Sequence, residues 1–326
     1  MNGPKMPAKV AVGAMIAGAA SALSIQAAHA DDTLLPLGDP LAGSDTAIIL
    51  GGTTEPTPSL AFAQAAENLY LNALGFDGGA MSSTVCDMVG TDPCAAPLQV
   101  LTTPELIQQG PSSLTAADDV TLAVENEFNA NPGAFDAEHP LTIFGYSQSA
   151  TAESIAMTQL HDYGIPLNDL HFVFIGDPSL EGTGIWPNLV PDLDSIFGST
   201  LTDKLLTDLG FDGVLGNLTP TDLYPTTIYT LNSDGVANFQ QDFESGGLLS
   251  TISHLFIQHV EYLGLTPAEL ANATVSTNGE LTLVDISDNI NNADAWLSAV
   301  FEHGAAGSGL LESVFQSLEL YLTNMF

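Results

Sequence analysis

From Thr46 onward the chain alternates short apolar runs with longer stretches in which apolar residues recur at helical spacing. The runs Ala47 to Leu50, Leu98 to Leu101, Leu141 to Phe144, Phe172 to Ile175 and Thr227 to Leu231 have the length of buried strands. The stretches between them predict helices. One follows Pro58 and runs to about Leu74, one follows Ser113 and runs to about Phe128, and one begins near Ser147 and ends before Gly164. Strand, helix and strand in repeated order predict an α/β architecture, a doubly wound parallel sheet.

Two regions break that rhythm. Residues 184–223 separate the fourth and fifth runs and scatter Ile185, Trp186, Leu189, Ile196, Phe197, Leu205, Leu206, Leu209 and Phe211 among glycines, prolines and aspartates. A connection that long is expected to be functional, here a lid-like insertion beside the carboxyl ends of the strands that flank it. From about Asn272 a tail begins. "VSTNGELTLV" predicts a hairpin on Asn278-Gly279, and helices are expected over about Asn289 to Phe301 and Leu310 to Met325 as an extension packed on the domain.

Composition changes the reading of the first thirty residues. Lys5 and Lys9 precede an apolar run from Val10 to Ala28, and Ala28-His29-Ala30 supplies small residues for cleavage, so residues 1–30 are expected to be a signal peptide. No later stretch reads as a spanning helix, so the expected product is exported, to the cell envelope or beyond, with no stable transmembrane segment after cleavage. The leader carries two of the three basic residues and none of the 39 acidic ones, which leaves Lys204 as the only cation and a formal charge of −38. Such a field repels nucleic acid and anionic headgroups. No arginine offers a fork for phosphate or sulfate. The expected partners are therefore neutral molecules, and self-repulsion should make stability rise with salt. Oligomeric state is left open. Cys86 and Cys94, the only cysteines, are expected to close a short loop as a disulfide. They lack the further ligands that a metal would want.

The candidate chemistry lies in "IFGYSQSA". A strand ends at Gly145, Ser147 follows two residues later, and the small Ser149 sits two beyond that, before the helix-compatible "ATAESIAMTQL". This is the GxSxG strand-to-helix turn with serine in the last position, tight enough that only small side chains fit at its ends. The plainer reading of Ser147 is a helix cap. A nucleophilic serine needs a histidine to take its proton and a carboxylate to orient that histidine, in the chain order Ser, acid, His. Asp177, ending "FVFIGDPS", and Asp234, ending "TIYTLNSDG", both stand at carboxyl ends of strands; His254, His259 and His303 follow. The oxyanion donors are expected to be the backbone N–H of Gln148 and an N–H from Gly51-Gly52-Thr53.

"GYSQSA", "FIGDPS" and "ILGGTTEPTPS" resemble the matching stretches of cutinases. "IILGGTTEPTPS", "IFGYSQSAT", "NSDGVANF" and "IQHVEYL", in that order, resemble the PE-PPE domain of mycobacteria and their relatives, a cutinase-like branch of the serine α/β-hydrolases. The resemblance covers about residues 46 to 270. It implies Ser147 as nucleophile, Asp234 as acid, His259 as base and Thr53 as the second oxyanion donor, with Asp177 structural. Cutinases place cysteines around the acid, whereas Ser233, Gly235 and Val236 surround Asp234.

The domain is thus expected over 31–271, with the insertion at 184–223 and the extension at 272–326. The expected function is that of a secreted serine esterase or lipase acting on neutral short- to medium-chain carboxylic esters, without a cofactor. Transfer of the acyl group to a sugar hydroxyl of a glycolipid is the close alternative. A non-catalytic surface protein on the same fold is the alternative from another class.

Overall fold

The computed structural model describes residues 37–78, 84–287 and 292–304. Its centre is an eight-stranded sheet in the order β2-β3-β1-β4-β5-β6-β8-β7, parallel throughout except for β7. Strand β1 (Ala47–Ile49) is followed by α1 (Leu60–Ala66), a π turn (Glu67–Leu71) and a 3-10 turn (Asn72–Leu74). The edge strand β2 (Val85–Asp87) and β3 (Leu98–Val100) lead to α2 (Gln109–Ala130). Then come β4 (Leu141–Tyr146), α3 (Gln148–Tyr163) and β5 (Leu170–Ile175). Two helices, α4 (Ile185–Phe197) and α5 (Ser199–Asp208), precede β6 (Thr226–Leu231). After it come α6 (Phe239–Phe256), a 3-10 helix (Gln258–Gly264) and the short α7 (Pro267–Leu270). The hairpin β7 (Thr274–Asn278) and β8 (Leu281–Ile286) precedes α8 (Ala293–Phe301).

Alternation within the strands sorts the core onto two faces. Ile49, Val100, Val173, Ile175, Tyr229, Leu231 and Val284 pack under α1, the 3-10 helix and α8, with Phe62, Tyr70, Tyr262 and Ala299. Ile48, Leu50, Ile143, Phe172, Phe174 and Ile228 pack under α2 and α3, with Val120, Val124, Ala156 and Met157. The central strands are apolar on both faces because both are covered.

All five apolar runs are strands within two residues of expectation. Three differences have physical reasons. Helix α2 starts at Gln109 and not after Ser113, because Pro111 lies in its first turn, where a missing N–H costs nothing. The hairpin turns on Gly279-Glu280, one residue beyond expectation: Asn278 still pairs with Leu281, and Gly279 takes the left-handed φ of 62°. Residues 184–223 are helical over α4 and α5, with Trp186, Leu189, Leu193, Leu206 and Val214 forming a small core together with Phe239 of α6. Cys86 and Cys94 are disulfide-bonded. No helix among the described residues is long and apolar enough to cross a membrane. The expected signal peptide and the helix expected over 310–325 lie outside the described residues.

Candidate active site

Ser147 sits between β4 and α3 with φ 57° and ψ −111°, a conformation that costs a non-glycine residue energy. Its N–H donates to the Ile175 carbonyl, 3.1 Å away, which anchors the turn to β5. Gly145 leaves space for buried Glu153, since a Cβ there would stand 2.5 Å from its Oε1. A helix-capping role for Ser147 fails on geometry: its side chain caps no α3 N–H. Its Oγ instead lies 2.7 Å from Nε2 of His259.

Nδ1 of His259 is 2.9 Å from both carboxylate oxygens of Asp234. Asp234 is fully buried in the turn after β6. It accepts the N–H groups of Val236 (2.7 Å) and Ala237 (3.2 Å) and the Tyr262 hydroxyl (2.6 Å). Burial pulls its pKa upward, but the facing His259 charge and these donors outweigh that and hold it below the usual carboxylate value. With Nδ1–H committed to Asp234, Nε2 is the imidazole nitrogen free to accept the Ser147 proton. Gly176, at φ 60°, makes room for the ring, since a Cβ there would lie 2.9 Å from His259 Cε1.

Tyrosines that the sequence reading did not single out hold this assembly. Tyr146, the variable residue of GxSxG, donates its hydroxyl to the His259 carbonyl. Tyr262 bridges Asp234 and the Leu231 N–H, which it accepts at 2.9 Å, and Tyr70 donates to the Tyr262 carbonyl at 2.6 Å. Only the "HVEY" spacing, which sets Tyr262 three residues after His259, hinted at this.

The remaining candidates fall elsewhere. Asp177 is buried, accepts the Ser179 N–H (2.8 Å) and the Thr219 hydroxyl (2.5 Å), and is pushed up by burial to about 6. It takes no part in the His259 bonds. His254 pairs with Asp242 at 2.8 Å, across the kink that Gly247 makes in α6. His303 follows α8, and its buried Nδ1 has no partner among the described residues. The Gln148 N–H opens α3, where no intrahelical acceptor exists. The Gln148 side chain ties the loop after β3 by donating to the Leu106 carbonyl at 2.9 Å. Thr53 stands on the loop after β1, and its Oγ accepts from Gln109 Nε2 at 3.0 Å, leaving its own proton free to donate. Among the described residues no group of three or more His, Cys, Asp or Glu could hold a metal.

Fold and turn together define an α/β-hydrolase-like protein, with a serine on the strand-to-helix elbow and a histidine and buried carboxylate on later connections. The chain belongs to the PE-PPE domain family, whose model matches residues 93–282. It is 28% identical over 242 residues to the uncharacterized PPE family protein PPE28 of Mycobacterium tuberculosis H37Rv, covering 73% of this chain and 32% of that protein. To esterase PE16 of the same organism it is 27% identical over 241 residues, covering 72% of this chain and 40% of that protein. The chain thus spans a third to two-fifths of the length of these relatives. Among solved structures, a cutinase-like protein from Cryptococcus sp. is similar at TM-score 0.39 and 18% identity, over 67% of this chain and 89% of its own.

Proposed function

We propose that the chain is an exported serine esterase that hydrolyses neutral short- to medium-chain carboxylic esters. The observation that carries this is the continuous hydrogen-bonded line from Asp234 through His259 to Ser147, with the serine on a strained elbow. The sequence likeness to esterase PE16 supports it, as does the leader read in residues 1–30.

In this reading Ser147 Oγ attacks the ester carbonyl while its proton passes to His259 Nε2. Asp234 balances the imidazolium that forms. The carbonyl oxygen becomes an oxyanion facing the N–H groups of Gln148 and Thr53. Collapse expels the alcohol, which takes the proton back from His259 and leaves an acyl group on Ser147. Water, deprotonated by the same histidine, releases the acid and restores the serine. The absence of arginine and the single lysine beyond the leader favour an uncharged acyl and alcohol part.

The α4–α5 segment is assigned as a wall of the acyl site. It is tied beside it, with Trp186 Nε1 donating to Thr151 of α3 (3.0 Å) and the Ile185 N–H to the Val236 carbonyl (2.9 Å). Ile196, Phe197 and Leu201 stay exposed on it. The test is hydrolysis of p-nitrophenyl esters of graded chain length, with and without a sugar acceptor, alongside labelling by a fluorophosphonate. Ser147→Ala should abolish both, and Asp234→Asn should lower kcat by about 10⁴. A protein that takes no label on Ser147 and cleaves no ester of any length sinks the reading.

A further inference from the structure

Glu105 belongs to the loop between β3 and α2, yet it is 1% exposed and holds a left-handed φ of 42°. It reaches the loop after β1 at two points. Its carbonyl accepts the Thr54 N–H at 2.7 Å. Its carboxyl Oε1 lies 3.0 Å from Ser149 Oγ and 2.8 Å from Thr103 Oγ, and Ser149 Oγ in turn bonds the Gly51 carbonyl. Between those two points lie only Gly52 and Thr53.

Counting protons leaves this chain two directions, with the Ser149 proton on Gly51 or on Glu105. Ser149 has one hydroxyl proton and two acceptors near it, and the Gly51 carbonyl can only accept. With that proton on Gly51, the contact between Ser149 and Glu105 is a hydrogen bond only if Oε1 carries a proton of its own. The surroundings favour that form: burial pushes Glu105 up to about 8, and Oε2 has no partner among the described residues. Glu153 faces it from α3, fully buried and raised by burial and by the charges of Glu105 and Asp177. Glu55, on the loop itself, is raised by burial to about 7. Lys204, the only lysine among the described residues, is on α5 and bonded to Asp208.

We propose that Glu105 is a positioning residue which, as a neutral carboxylic acid, donates to Ser149, which donates to Gly51, and so clamps the loop that aims the Thr53 N–H at the oxyanion. This rests on the esterase reading above. It also gives the serine at the last elbow position a task that the usual glycine could not perform. When a base in solvent removes the Glu105 proton, the Ser149 hydroxyl turns to the carboxylate and the Gly51 end of the loop is released. The developing oxyanion then loses alignment while ground-state binding is little changed.

The test compares the parent with Glu105→Gln and Glu105→Ala, with Ser149→Ala in reserve should Glu105→Ala not fold. Infrared spectra should show a protonated carboxyl C=O band in the parent at about pH 7 that Glu105→Gln lacks and that titrates away near pH 8. With p-nitrophenyl butyrate, parent kcat should fall above about pH 8 with KM steady, and Glu105→Gln should flatten that limb because an amide N–H still donates. Glu105→Ala should lose about ten- to a hundredfold in kcat at every pH. No difference band, or an alkaline limb in Glu105→Gln identical to the parent's, overturns the proposal. A band that is present in a parent inert toward both esters and the fluorophosphonate overturns the esterase reading, and the positioning role with it.

Discussion

At the scale of single residues, the site is held by side chains that do no chemistry themselves. Tyr262 is the clearest case, since one hydroxyl donates to Asp234 and accepts the Leu231 N–H in a fully buried position. Tyr262→Phe should remove a donor to the carboxylate and strand a buried N–H, at about 1–3 kcal/mol of stability. The acid then loses one of the bonds that fix its orientation, so kcat should also fall, by about tenfold or more. Thermal unfolding and steady-state kinetics on the same samples check this, and a variant with parental Tm and kcat refutes it. Ser147 was legible in the sequence from its elbow pattern, and Asp234 and His259 through the resemblance to the PE-PPE domain, since chain order alone left Asp177 and two further histidines open. Tyr262 and Glu105 were not. A tyrosine in a helix and a glutamate in a loop look like surface residues until tertiary packing encloses them.

At the scale of elements, the periodic part of the chain was read well and the irregular part poorly. Strands apolar on both faces announce themselves, whereas β2 is three residues long, half-exposed and stabilised by pairing with β3, so no local pattern marks it. The tail shows the same limit: its hairpin was visible, but not that β8 pairs parallel with β6 and extends the main sheet. Nor did the sequence reveal what α8 does. This helix packs against the 3-10 helix that carries His259, so closely that a Cβ on Gly264 would lie 1.8 Å from the Ala295 carbonyl. Gly264→Ala should therefore force the two apart, lowering Tm and kcat together, because the histidine moves with its helix. Leu297→Ala, on the half-exposed side of the same α8, should leave the stability within about 0.5 kcal/mol of the parent's. Equal behaviour of the two variants would show that the contact does not matter.

At the scale of the whole molecule, the acidic composition reaches inward. Charge counting in the sequence leads one to place the carboxylates on the surface, facing water. Several are instead enclosed around the elbow, where burial raises Glu105 to about 8 and Asp177 to about 6, and raises Glu153 as well, while the partly buried Glu55 is raised to about 7. The sign of the linkage follows. In the unfolded chain these groups ionise near their ordinary values of about 4, so between there and their folded values the native state binds more protons. Stability should therefore fall as pH rises through that interval. His171 opposes this lower down, since burial depresses it to about 4 and its folded form binds fewer protons below the ordinary histidine value. Above about pH 6.5 it is neutral in both states, which leaves Glu105, Glu153 and Glu55 to set the slope up to about pH 8. Surface repulsion from the net charge, −36 over the whole chain, would push in the same direction, but about 1 M salt shortens its reach to about 3 Å. A Tm that falls from about pH 6.5 to about pH 8 at high salt is the expected result, with a smaller fall in Glu105→Gln. A Tm that is flat or rising over that window would place these carboxyls in contact with water and remove the physical basis for a neutral Glu105.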